Sequence, residues 1–378
     1  MSTVEQERSY SLRGSGPGNS QLPGEKLPDI SSIVVLRDGP AAEAAPPHDL
    51  EFDAEPLDDA EQLELFEGEQ LAATWKPRED LHSLEFPLFS LQKGKDTRYR
   101  VYKNGEQIVR IIPSAVGAAN IFDKDLLVYA ATLICKAADA GQPVSRRIRF
   151  KVRDFLNYTN RSTGGAAYQR IVDSCRRLRG TTIETNFDSV RPGANENGIH
   201  PTLAGYGLID KYKVISYTAN KKGALEVELI LSEWTFDSLK NRRVLMIHPG
   251  YFGLGQGLER RLYDLAKKHC GDKLWFKIRL EKLHEKSGSA QALKYFRRDL
   301  IEAIKADKLP EFHIALDDDK AMVVFFRCDR DNRRQDQQLV AGIHRELLSK
   351  KLLKWYSALR RWDSGAQAGP QYELIPSA

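Results

Sequence analysis

The chain has 378 residues, 41% of them hydrophobic, and carries 57 Lys and Arg against 52 Asp and Glu, a net charge of +5. That is enough apolar material for two ordinary domains and an extra segment, whereas no run reaches the ~18 apolar residues of a membrane span and the start MSTVEQERSY lacks the basic and apolar stretches of a secretory signal, so a cytoplasmic protein without a membrane partner is expected. Cys135, Cys175, Cys270 and Cys328 lie far apart, with no Cys-x-x-Cys pair and no His at zinc spacing, which reads as reduced structural thiols and excludes a disulfide scaffold.

In chain order, the first 85 residues hold 19 acidic against 6 basic side chains, leaving 51 basic against 33 acidic on residues 86–378. A basic body is the footprint of a polyanion, because each phosphate it neutralises releases a condensed counterion, and nucleic acid is the expected partner. Stretches such as GSGPGNSQLPGEKLPD and AAEAAPPHDLEFDAEPLDDAEQ contain too little apolar surface to offset chain entropy, which predicts a disordered acidic arm over 1–85. Inside it lies an apolar island, Gln62-Leu63-Glu64-Leu65-Phe66. It looks like the pentapeptide by which bacterial proteins dock on the DNA polymerase sliding clamp, with Gln62 at the pocket edge and Leu63, Leu65 and Phe66 in apolar subsites.

A first domain is expected over 86–245. RYRVYKNGEQIVRI reads as a β-hairpin turning at Asn104-Gly105. In KDLLVYAATLICKAADAG the residues Leu126, Tyr129, Leu133 and Ile134 recur at helical spacing, and Gly141 supplies a stop. A strand over RIRFKV, a helix over RDFLNYT, a turn at Arg161–Gly165 and a helix over 166–178 follow, and the β segments TTIETNF, LIDKYKVISY and LEVELIL are expected to build a wing. Helix, strand, helix, turn, helix, wing is the winged variant of the helix-turn-helix.

The order then repeats over 246–330. Phe150-Lys151-Val152-Arg153 is answered 126 residues on by Phe276-Lys277-Ile278-Arg279, each behind a helix that ends in Gly. A helix over LEKLHEK, a turn at Ser287-Gly288-Ser289, a helix over 290–306 and a hairpin over EFHIALDDDKAMVVFFRC complete the copy, and Gly253-Leu-Gly255-Gln-Gly257 reads as the connection between domains. Residues 331–378 are expected to form a polar linker and a basic amphipathic helix. The fold class is thus α+β, two tandem winged-helix domains behind the acidic arm.

In a helix-turn-helix the second helix enters the major groove, so its outward face should carry base- and phosphate-pairing residues. The first domain offers Gln169, Arg170, Arg176 and Arg177 outside a Tyr168, Ile171, Cys175, Leu178 stripe. The second offers Ser289 in the turn, then Gln291, Lys294, Tyr295 and Arg298 outside a Leu293, Phe296, Leu300, Ile304 stripe. No Gly-x-x-x-x-Gly-Lys-Ser/Thr loop argues for ATP hydrolysis, no His-x-His pair for metal-dependent nicking, and Asp317, Asp318 and Asp319 read as a hairpin turn. No catalytic residue, metal or cofactor is therefore expected.

From about Phe86 to Cys328 the chain resembles the plasmid replication initiator protein A family, and more loosely the tandem winged-helix initiators that bind iterons. The resemblance rests on EFPLFSLQKGKDTRYRVYKNGEQIVRIIPS, FDKDLLVYAATL, FKVRDFL, YGLIDKYKVI and FGLGQGLERRLYDLAKKHCG. It implies a protein that binds repeated duplex origin sites, helps melt adjacent DNA, loads the host helicase and represses its own gene, with dimers repressing and monomers initiating. Together with the pentapeptide, the expected partners are the host sliding clamp, helicase and initiator and a second copy of the chain. A transcription regulator with the same fold is the alternative, and replication of a minimal origin plasmid only when this chain is supplied would separate the two.

Overall fold

The computed structural model describes residues 65–67, 75–186, 203–216, 225–241, 243–317 and 321–349. Residues 1–64, and with them Gln62 and Leu63 of the pentapeptide, lie outside it. The described residues build a mixed α+β architecture of helices and small sheets.

Regular structure starts upstream of Phe86, within the segment assigned to the arm: β1 (Leu65–Glu67), β2 (Arg78–Asp80) and α1 (Leu81–Glu85). Composition concealed them because acidic residues were counted as solvated. Glu79 is 2% exposed, and Asp80 caps α1 by accepting from the His82 and Ser83 backbone N–H groups.

The hairpin of β3 (Arg100–Asn104) and β4 (Gln107–Ile112) turns on Gly105-Glu106, one residue later than expected, because Asn104 pairs with Gln107. Gly105 takes φ +61, a value glycine adopts without steric cost. Helix α2 (Lys124–Asp139) buries Leu126, Tyr129, Leu133 and Ile134. Then come β5 (Arg147–Lys151), α3 (Val152–Tyr158) and α4 (Gly165–Gly180).

Strand β6 (Thr182–Thr185) departs from the expected wing. It pairs with β4 and with β7 (Ala204–Gly207) in a sheet of order β3-β4-β6-β7, where Ile183 sits opposite Ile111 and both are fully buried. The outer pair of the other sheet is β8 (Ile209–Ser216) and β9 (Leu225–Leu231), with β9 antiparallel to β5. Strand β1 adds in parallel to the remaining edge of β5, with Phe66 opposite Ile148. Helix α5 (Glu233–Lys240) and β10 (Val244–Met246), which pairs with β2, close the first half.

The second half runs α6 (Gly257–Cys270), β11 (Trp275–Arg279), α7 (Leu280–Ser287), α8 (Leu293–Ala306), β12 (Phe312–Asp317) and β13 (Met322–Arg327). Its sheet order, β11-β13-β12, reproduces β5-β9-β8. Helix, strand, helix, helix and an antiparallel pair therefore occur twice. The FKVR and FKIR tetrapeptides are nevertheless not equivalent, since the strand gives way to the helix after Lys151 in one repeat and after Arg279 in the other. The match is offset by two residues, one side-chain period of a strand, so the apolar alternation survives the slip.

Helix α9 (Arg333–Ser349) begins inside the stretch expected to be a polar linker. Its Val340, Ile343 and Leu347 cover Ala315, Val324 and Phe326, while Val323 and Phe325 point into the main core of the second repeat. Both faces of β13 are thus buried, which accounts for its unbroken apolar run. Between the repeats, a short 3-10 turn over Pro249–Gly253 leads to Gly257, where a Cβ would come 2.1 Å from the Leu91 carbonyl oxygen.

A buried charged seam joins the repeats. Lys124 Nζ donates to Glu79 Oε1 at 2.6 Å and to Asp264 Oδ2 at 2.8 Å. Arg260 Nη1 meets Asp125 Oδ1 at 2.7 Å, and Asp125 also accepts from Arg161. Arg260 further donates to the Leu254 and Phe252 carbonyls, and Arg261 to those of Ser83, Leu84, Glu85 and Lys286. Burial and the neighbouring Asp264 carboxylate raise the Glu79 pKa to about 8.

Candidate nucleic-acid interface

The face of α8 is built by its periodicity. Phe296, Leu300, Ala303 and Ile304 are buried and Leu293 is half-buried, which turns Lys294, Tyr295 and Arg298 outward. Tyr295 is 51% exposed. The Arg298 guanidinium lies 5.5 Å from its ring centroid and pairs with Asp299 at 3.0 Å. Lys294 makes no ion pair among the described residues. The helix begins at Leu293 rather than Ala290, so Gln291 sits in the preceding turn, its N–H donating to Ser289 Oγ at 3.3 Å and its carbonyl 2.8 Å from His284 Nε2. Gln291 is exposed and Ser289 half-buried.

Helix α4 carries a weaker face. Ile171, Cys175 and Leu178 are buried, Tyr168 packs against the same core, and Gln169, Arg170 and Arg176 are exposed. Gln169 Nε2 and Arg176 Nη1 both donate to Asp173 Oδ1, at 3.2 and 2.9 Å, so a carboxylate stands among the outward cations. Arg170 has no ion-pair partner among the described residues. Arg177 is a correction to the expected outward set. Its Nε and Nη2 each donate to Asp123 at 2.7 Å, and Ser174 Oγ donates to the same carboxylate at 2.6 Å. Asp123 is 2% exposed, and a buried carboxylate needs a cation. Arg177 thereby fastens α4 to the start of α2 and is half-buried.

Of the pentapeptide, Leu65 and Phe66 are described. They do not stand on a free tether: Phe66 packs against the first core and Glu67 Oε1 lies 3.8 Å from Arg149 Nη1. The exposed Tyr99 and Val101 beside and on β3 were missed, because the hairpin alternation was read only as a core pattern. The available signal was the cations interleaved with aromatics in RYRVYK.

Among the described residues no group of three or more His, Cys, Asp or Glu is placed to hold a metal ion, and no helix is long and apolar enough to cross a membrane. None of the four cysteines, all among the described residues, forms a disulfide, and burial pushes the Cys175 and Cys270 thiols up to about 12, which keeps them protonated.

The mixed α+β fold is similar to that of domains 2 and 3 of RctB, whose solved structure matches at a TM-score of 0.50 with 14% identity, over 64% of this chain and 95% of that one. A protein of Wigglesworthia glossinidia brevipalpis described as "Putative replication protein" is 36% identical over 249 residues, 66% of this chain and 88% of the relative. The model of the replication initiator protein A family matches residues 78–314. The chain belongs to the replication initiator protein A family.

Proposed function

We propose that this replication initiator works by sequence-specific binding of duplex origin DNA, without catalysis, through two winged-helix repeats in which α8 supplies the main recognition face and α4 a second one. The observation that carries the reading is the cationic, aromatic outward face of α8 behind the tight Ser287–Ser289 turn, in a helix-strand-helix-helix-strand-strand order that occurs twice. Arginine forks match guanine edges and the side-chain amide of glutamine matches adenine, whereas lysine suits phosphate as a point charge. In this reading the protein binds repeated sites, distorts the adjacent duplex, represses its own gene as a homodimer and acts in the cytoplasm on plasmid DNA, with the host helicase and initiator as partners.

Footprinting of the purified chain on the DNA flanking its own gene tests the assignment. On the protected site Arg298→Ala is expected to cost about 1–3 kcal/mol and to relax preference at one base position, while Lys294→Ala weakens all sequences alike. Parent-like footprints from both variants would remove α8 from the interface.

Docking on the sliding clamp through Gln62, Leu63, Leu65 and Phe66 belongs to the same proposal, with the added requirement that β1 leave the edge of β5. A free peptide of residues 60–69 separates recognition from release. It is expected to capture purified clamp, and the Leu65→Ala, Phe66→Ala peptide to bind at least about a hundredfold more weakly, since each buried side chain is worth roughly 1.5–3 kcal/mol. Equal capture by both peptides would sink the clamp assignment and leave DNA binding untouched.

A further inference from the structure

A groove of about 860 Å³ separates the β3 edge of the first repeat from α7 and the turn after it in the second, with Pro87 on its floor. Among the described residues strand β3 is an edge, paired only with β4. Tyr99 and Val101 face outward there at 56% and 44% exposure, and Lys103 is exposed with no ion pair among the described residues. Arg98, Arg100, Lys103, Lys282 and Lys286 line the groove, against Glu85 and Glu285. Some of that charge is compensated locally, since Lys286 pairs with Glu85, Lys282 with Glu285, and Arg98 with Asp96 outside the groove. The lining remains cationic on balance. Arg100 is 8% exposed, and although its Nη atoms donate to the Pro87 and Leu88 carbonyls, its Nε–H has no acceptor. A buried polar group without a partner is uncommon and calls for an explanation.

The groove is held open by close packing. Gly288 sits at φ +72, where a Cβ would come 2.5 Å from Pro87 Cβ and 3.0 Å from the Tyr102 hydroxyl, so the turn of the second repeat rests directly on the first. At its far end Ser289 and Ala290 belong both to the groove and to the segment that leads into α8. DNA lying on the α8 face therefore has a cationic path waiting beside it, with an exposed tyrosine at the rim.

We propose that this groove is a further nucleic-acid site, holding a phosphodiester strand of the DNA that flanks the base pairs engaged by α8. Lys103 and Lys282 meet phosphates, and Tyr99 offers its ring to a sugar or base. The inference rests on the DNA-binding reading above. Charge favours this occupant over an added protein strand, because a short edge carrying Lys103 is poorly suited to strand pairing, while cations beside an exposed aromatic ring suit a nucleic-acid strand.

The test uses the full chain as parent, Arg298→Ala, and the double variant Tyr99→Ala, Lys103→Ala, whose changes fall on exposed side chains. Fluorescence anisotropy is read on three labelled probes: a core duplex trimmed to the base pairs whose substitution abolishes binding, the same duplex extended by about 10 base pairs on each side, and the core with single-stranded extensions of that length. The groove variant is expected to match the parent on the core. It should lose about tenfold on an extended probe, with a salt slope there less negative by about 1. Loss on the paired extension assigns the groove to duplex, and loss on the unpaired one to melted strand. Parent-like binding by the groove variant on both extended probes, with Arg298→Ala still weak on all three, overturns the groove and leaves the α8 reading standing. Failure of the parent on every probe overturns both. A changed sedimentation state with unchanged DNA affinity makes the groove a protein contact and also overturns the proposal.

Discussion

Raising sodium chloride from about 50 to about 200 mM is expected to weaken binding of origin DNA by about 10³- to 10⁵-fold. The body downstream of residue 85 has 51 basic against 33 acidic residues. If the two repeats together neutralise about 6–10 phosphates, log K falls against log salt with a slope of roughly −5 to −9, each phosphate contributing one displaced counterion. The structure narrows which cations can contribute. Arg260 and Arg261 are 1% and 2% exposed and are committed to carboxylate and carbonyl partners, which withholds them from DNA, and the charge of the half-buried Arg177 is offset by Asp123. Lys294, Arg170 and Arg298 remain on outward faces. Titration of a labelled origin duplex at four salt concentrations measures the slope, and a value near zero removes nucleic acid as the main partner.

Arg260→Met is expected to destabilise the fold by about 3–5 kcal/mol, the range for removing one partner of a buried ion pair. Asp125 is fully buried and would keep only Arg161, while the Leu254 and Phe252 carbonyls would each lose a donor. Most of that cost is the charge left behind rather than the attraction lost, because desolvating a carboxylate is repaid only while its cation stays in place. Asp125→Asn combined with Arg260→Met should therefore cost less than the sum of the two single changes. Urea unfolding followed by circular dichroism gives the comparison, with Arg298→Ala as an exposed control that leaves the midpoint in place. A loss below about 1 kcal/mol for Arg260→Met would mean that the seam is solvated.

Much of the architecture was legible because it rests on local periodicity. The stripe Phe296, Leu300, Ile304 and the stripe Ile171, Cys175, Leu178 fixed which sides of α8 and α4 turn inward, and these positions are buried. The hairpin came out one residue off at Asn104, and β6 was placed in the wrong sheet, for a common reason. Strand alternation states which residues face a core but not which strand they pair with, and Ile183 found Ile111 on β4 rather than a partner on β8. The tetrapeptide repeat pointed to a true doubling of topology through residues that are not equivalent, because a two-residue slip leaves the alternation intact.

By itself the sequence determined the division between an acidic leading segment and a basic body, the kinds and order of the helices α2–α4 and α6–α8 though not α1 or α5, and the membership of the replication initiator protein A family that residues 78–314 carry. Those properties are written in composition and in spacings of a few residues. What only the tertiary structure decided is the fate of individual charges. Arg177 and Arg298 look alike in sequence, yet one is spent on Asp123, 54 positions away, and the other faces solvent. Glu79, Lys124 and Asp264 meet across separations of 45 and 140 residues. A charge is buried only where a partner of opposite sign or a set of carbonyl acceptors arrives with it, and which partner arrives is set by how distant segments pack, a condition that no local pattern records.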